Sequence, residues 1–220
     1  MKSMYESIKP PSPTSLPTTL SKQLTPPSSA SPTLTPTGQK AYTLPTILLP
    51  SGATISDSLR IAQWAEETHP HPSLHLEKSP HALAAQKVGA ATFPLIPVFM
   101  PRIPRSVIRP ESVAFFEAAR AARFGMPLGE LERVKGGEAA WEAARPGLDA
   151  LEDLVKGGEF KVDDGPFVLG SEVSHADFVI VAVLEGFRRI GEDLFERIVG
   201  GREGLRGVWE SCGGVLGRDD

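Results

Sequence analysis

A single cysteine, Cys212, in 220 residues excludes two classes of protein at once. The chain cannot build an internal disulfide framework, and it cannot supply a cysteine-rich zinc site. Such usage fits a reducing compartment, so the cytoplasm is the expected location. Long apolar runs are also missing. No stretch approaches the roughly 18–20 continuous apolar residues of a membrane span. Excess positive charge is missing as well: the formal net charge is −4. Residues 1–40 carry four Lys and one Glu, which leaves −7 on residues 41–220. An acidic foldable part has no electrostatic footprint for nucleic acid or anionic lipid, so neither is expected as a partner. Residues 1–40 lack the apolar core of a secretory signal, and they lack arginine, which a transit peptide needs.

What is abundant is proline and glycine, 21 of each. The prolines are uneven. Residues 1–40 hold 8 Pro, 8 Ser and 7 Thr with no helical or alternating apolar period. Proline removes a backbone donor, and Ser and Thr compete for backbone hydrogen bonds. Such a stretch cannot offset the entropy of ordering, so residues 1–40 read as a disordered leader. The remaining residues are enough to bury a core.

Order is expected from Tyr42 onward. The run Tyr42–Leu49 is rich in strand formers, Pro50–Ser51–Gly52 is turn chemistry, and Thr54–Ile55 gives a second short strand. This is a β-hairpin. Pro45 cannot donate to a central ladder, so it belongs at an edge, a bulge or a cis turn. After Ser56–Asp57–Ser58 come Leu59, Ile61, Ala62, Trp64 and Ala65, the spacing of a helix of about three turns that ends near His69–Pro70. Asp57 or Ser56 would cap it.

Residues 77–220 read as helical throughout. His81 to Ile96 is Ala- and Leu-rich and is expected to stop at Pro97. A second helix runs from Glu111 to Phe124 and ends at Gly125. A third, Glu130 to Lys156, is expected to kink or break at Pro146–Gly147 and to end at Gly157–Gly158. Gly136–Gly137 and Gly200–Gly201 have no phosphate-loop context and read as helix breaks. The strongest pattern is Ser174–His175–Ala176–Asp177 before the run Phe178–Leu184. Ser and Asp three apart form a capping box, in which each side chain takes an orphan amide at the other's position. Val173 and Phe178 stand where a hydrophobic staple packs. A helix so apolar is buried, and a buried helix end needs such a cap. Asp177 is therefore read as structural and not catalytic.

His69, His71, His75 and His81 have no Cys or carboxylate at ligand spacing and are interleaved with prolines, so a solvated linker is expected and no metal. Trp64, Trp141 and Trp209 read as packing residues, and Cys212 has no CxxC partner. As a lone thiol it would be open to modification if exposed. Arg102, Arg105 and Arg109 flank prolines between two helices and read as a solvated loop, with anion contact as the alternative.

Phe167–Val168–Leu169–Gly170 followed by Ser174–His175–Ala176–Asp177–Phe178 resembles the folding motif of the helical domain of cytosolic glutathione transferases. Tyr42–Thr43–Leu44–Pro45 and Ile55–Ser56–Asp57–Ser58–Leu59–Arg60–Ile61–Ala62 resemble the second half of the thioredoxin-like domain of the same proteins. The chain is similar to the fungal-type members, including those encoded beside natural-product pathways. Arg120 to Gly125, the run Trp141 to Leu154 and Arg188–Arg189–Ile190 add to the likeness, which covers roughly residues 41–220.

The resemblance implies a mostly α fold. An all-α glutathione transferase C-terminal domain would span residues 77–220, and a partial thioredoxin-like α/β remnant residues 41–76. It implies glutathione as co-substrate, an electrophilic small molecule as second substrate, and a homodimer. Leu44, the residue before Pro45, would pair its backbone with the cysteinyl backbone of glutathione, so that both residues position it. Asp57 and Ser58 would hold its γ-glutamyl end, with serine and helix amides on the carboxylate and Asp on the ammonium. The family's catalytic Ser, Tyr or Cys lies in a strand–helix–strand unit that residues 1–40 cannot supply. Tyr5, Ser3 and Ser7 are the right types in the wrong setting, so the catalytic residue is unassigned. The alternative reading is a glutathione transferase fold that binds without catalysis.

Overall fold

The computed structural model describes Thr33–Leu34, Lys40–Ala41 and residues 45–216. The expected leader and the stretch Tyr42–Leu44 otherwise lie outside the described residues. The chain divides into two compact units, Met1–Pro72 and Ser73–Asp220.

In the first unit β1 (Thr33–Leu34) pairs antiparallel with β2 (Lys40–Ala41). The hairpin expected from the turn chemistry is formed by β3 (Thr46–Leu48) and β4 (Thr54–Ser56), antiparallel, with Ile47 opposite Ile55 and Thr46 opposite Ser56. The hydroxyls of that last pair are 2.8 Å apart. Gly52 turns the chain at φ +84°, which glycine adopts without a Cβ penalty. Helix α1 (Ser58–Thr68) follows and buries Ala62.

The second unit is helical. Helix α2 (His81–Thr92) continues through a 3₁₀ turn at Phe93–Leu95 into α3 (Ile96–Phe99), then α4 (Ile103–Ser106). Pro97 does not stop the path at Ile96, contrary to expectation. It sits in the first turn of α3, where the N–H it lacks has no intrahelical partner to begin with. The path His81–Phe99 is long enough and, at a mean hydropathy of 1.3, apolar enough to cross a membrane. Its Ala84, Ala91, Leu95 and Val98 are instead buried in the helical core.

Helix α5 (Pro110–Phe124) ends at Gly125 in the left-handed conformation, as its sequence requires. Helix α6 (Leu128–Lys135) stops at Gly136–Gly137, and α7 (Glu138–Gly157) runs unbroken through Pro146. The break falls at the glycine pair, as expected of Gly136–Gly137, and the helix is not broken at Pro146–Gly147. Gly147 has a different task. A Cβ there would lie 2.6 Å from the backbone of Ala90 and Ala91, so this glycine lets α7 lie directly on α2.

Helices α8 (His175–Ile190), α9 (Glu192–Val199), α10 (Glu203–Ser211) and α11 (Gly213–Leu216) complete the unit. Their Ile180, Leu184, Phe195, Ile198, Leu205 and Val208 join Leu148, Leu151 and Val155 of α7 in one core. Helix α8 is buried along one stripe and not all round: Ala182 is exposed, and Phe178, Val179 and Val183 are half-buried. Cys212 is buried, and burial pushes its thiol up, so it is not an exposed thiol open to modification.

Candidate functional site

Two places concentrate polar groups that the sequence singles out. The first is the junction between the β3–β4 hairpin and α1. Asp57 stands at φ +86°, ψ +126°, a conformation strained for a residue with a Cβ. Two interactions hold it there. Its own N–H donates to the Pro45 carbonyl at 3.3 Å, and its Oδ1 accepts from the Leu59 and Arg60 amides at 3.0 and 3.2 Å. One oxygen therefore caps α1, as expected. No hydrogen bond to Oδ2 is found among the described residues. Ser58, the first residue of α1, is exposed. The structure thus brings together Pro45, Asp57 and Ser58, three of the four residues proposed to hold glutathione. Leu44 lies outside the described residues. Strained backbone of this kind concentrates at functional sites, where the surroundings must over-determine it.

The second place is the start of α8. The capping box forms: the Ser174 N–H and hydroxyl both donate to Asp177 Oδ2, at 2.7 and 2.8 Å. Asp177 Oδ1 accepts from the Val168 amide at 2.8 Å, which fastens the Phe167–Gly170 turn to the helix. Ser174 and Asp177 are both fully buried. Burial pushes the Asp177 carboxyl above the usual carboxylate range, against the pull of those hydrogen bonds. With every bond internal, this site holds structure together and offers no acid to a substrate.

Ser79 was missed. Its hydroxyl donates to Ser174 Oγ at 3.4 Å and accepts from the Ala176 N–H at 2.9 Å. The linker around it is consequently docked and not solvated throughout: Ser79 is buried, and the Leu74 carbonyl accepts from the His175 N–H at 2.9 Å. His75 lies 3.4 Å from Glu172, whereas His69 and His71 are exposed. The only signal available was a serine just before a helix start.

Arg102 is not a free cation, because it bonds both oxygens of Asp193 at 2.7–2.8 Å. That pair holds the Asp193 carboxyl below its usual range. Arg105 and Arg109 are exposed, the solvated-loop reading. A surface groove of about 350 Å³ lies along α7, α9 and the start of α10. Its cations are satisfied: Arg197 by Glu138 while stacked 4.3 Å over Trp141, Arg202 by Asp149, and Arg145 by Glu142. It has no unpaired charge with which to select a ligand.

Residues 81–204, more than half of the chain, match the family model "Glutathione S-transferase, C-terminal domain". The chain belongs to the glutathione S-transferase family. It is 28% identical over 188 residues to the glutathione S-transferase-like protein ustS of Aspergillus flavus, covering 79% of this chain and 67% of that one. Among solved structures it resembles the Ceriporiopsis subvermispora glutathione S-transferase CsGST83044 in complex with glutathione. That likeness has 25% identity and a TM-score of 0.64, over 84% of this chain and 76% of that one. The Phanerochaete chrysosporium glutathione transferase GSTFuA3 gives 25% identity and 0.68, over 84% and 75%. The fold is accordingly the mostly α glutathione transferase C-terminal domain, preceded by a small thioredoxin-like remnant.

Proposed function

We propose that this chain holds glutathione at the hairpin–α1 junction and joins its thiol to an electrophilic small molecule. The observation that carries this reading is Asp57. It is kept in a strained conformation with one carboxylate oxygen spent on the cap and no bond to the other among the described residues. A simple cap needs neither the strain nor the second oxygen. Asp57 would take the glutathione ammonium, the hydroxyl and N–H of Ser58 its carboxylate, and the backbone of Leu44, positioned by Pro45, its cysteinyl backbone. Residues 41–76 form the remnant that binds glutathione, and residues 77–220 the helical domain that carries the pocket for the second substrate. The similar Ceriporiopsis protein, solved in complex with glutathione, supports the ligand.

In conjugation the thiol loses its proton to solvent base and the thiolate sulfur bonds to an electrophilic carbon. With an epoxide the ring C–O bond breaks and the oxygen takes a proton. With a quinone or an unsaturated carbonyl compound the π electrons move onto oxygen, which is protonated. We place such electrophiles in secondary-metabolite biosynthesis, including mycotoxin routes, or in detoxification. The working form would be a cytoplasmic homodimer. A thiolate requires a hydrogen-bond donor to lower its pKa, and no residue here is assigned that role. That gap favours the second reading, a fold that binds glutathione without turnover. A conjugation assay with quinone, epoxide and enone substrates separates the two, since turnover above the uncatalysed rate excludes the second.

Calorimetry of the full chain with glutathione tests binding. Asp57→Asn keeps a capping oxygen and tolerates the left-handed region, so the fold should stay stable within about 0.5 kcal/mol. It removes the charge for the ammonium, so affinity should fall about tenfold or more. Absence of binding at millimolar glutathione, or equal binding by both proteins, sinks the proposal.

A further inference from the structure

The segment that precedes α2 and the first turn of α8 enclose a histidine pair that the proposed activity does not use. His81 begins α2 and His175 begins α8. Their rings meet edge to face with centroids 5.6 Å apart. The Nδ1 atoms of both are buried and have no hydrogen-bond partner among the described residues. Around the pair lie the bonds that dock the segment onto α8: Leu74 carbonyl with the His175 N–H, and Ser79 hydroxyl with the Ala176 N–H and Ser174 Oγ.

We propose that this pair is an acid-sensitive clamp: charging the His175 imidazole, packed edge to face on His81, releases residues 73–80 from the start of α8. Three features oppose a charge there. Each ring sits at a helix N-terminus, where the macrodipole disfavours a cation. A charged imidazole donates from both nitrogens, yet neither Nδ1 has an acceptor within reach, and an unpaired buried donor is costly. The rings also face each other, so a second charge repels the first. Burial, with His81 adding to it, holds the His175 imidazole below its ordinary value of 6.5.

Among the charged groups nearby, Asp177 on α8 is buried, and its oxygens are engaged by Val168 and Ser174. Glu172 in the preceding loop lies 3.4 Å from His75 of the segment, an ion pair only when that imidazole is charged, so this one contact opposes the release and the Leu74 and Ser79 bonds are the ones that open. Glu77 and Lys78 on the segment are exposed. Lys87 on α2 is half-buried, nearly two turns beyond His81. Cys212 stays neutral, because burial raises its thiol. A group with a depressed pKa contributes its full stabilisation above the ordinary value and loses it as pH falls, so the clamp is closed above pH 6.5 and opens below. The residues it releases join the helical unit to the chain that ends at Pro72.

Backbone amide exchange on the full chain at pH 7.5 and pH 5.5 tests this, with rates corrected for intrinsic pH dependence. Protection of the His175 and Ala176 amides should fall severalfold at the lower pH, while Leu151 in α7 keeps its protection. In His175→Gln protection should be the same at both pH values, and in His81→Gln, which leaves the buried His175 ring without the facing imidazole, the fall should be smaller than in the wild type. If one variant fails to fold, the other carries the comparison. A wild type whose protection does not change, or a fall that persists undiminished in a folded variant, overturns the clamp.

Discussion

Buried carboxylates show most clearly what single residues contribute. Asp177 accepts three hydrogen bonds in a site closed to water, so Asp177→Ala leaves two backbone amides and the Ser174 hydroxyl proton without their acceptor. It should cost about 3–5 kcal/mol, read from the shift of the urea unfolding midpoint. Glu185 is a second case. It accepts from Arg188 Nε and Nη2 and Arg189 Nε at 2.8–2.9 Å and from Trp209 Nε1 at 3.2 Å. These donors, Arg188 foremost, hold its carboxyl at about 2 against an ordinary 4.5. The fold therefore favours the ionised form, and the stabilisation is complete above pH 4.5 and lost as pH falls towards about 2. The arginines are themselves partly exposed, so Glu185→Gln should cost about 1–3 kcal/mol at neutral pH and flatten the acid limb of the stability profile. The capping role of Asp177 was legible because Ser174 and Asp177 sit three apart in sequence. The Ser79 contact was not, since it spans 95 residues and leaves no local pattern.

At the scale of elements, periodicity and capping chemistry located the β3–β4 hairpin, α1, α5 and the start of α8. Proline misled in two places. Pro97 falls in the first turn of α3, where it costs nothing, and Pro146 is carried by packing of α7 against α2. Tertiary packing outweighs local propensity there. The adjacent Gly147 makes the point testable. Gly147→Ala drives a Cβ into the Ala90–Ala91 backbone and should destabilise by about 2 kcal/mol or more, because neither helix can yield cheaply. Gly186 in α8 has nothing within 4 Å of the same position, so Gly186→Ala should stabilise by about 0.5–1 kcal/mol. Thermal unfolding of the two variants should therefore shift in opposite directions.

For the molecule as a whole, the family was legible from two separated motifs, one in each unit, and the match over residues 81–204 bears it out. The docking of residues 73–80 on α8 was not legible, because it rests on contacts that no sequence window contains. The central claim is that glutathione binds where the hairpin meets α1. Titration of the isotopically labelled full chain with glutathione, followed by amide chemical shifts, tests it most directly. The account predicts the largest shifts at Asp57–Arg60, with the amides of α7 unmoved. Saturable shifts elsewhere that leave Asp57–Arg60 unchanged, or no shifts at millimolar glutathione, would contradict it.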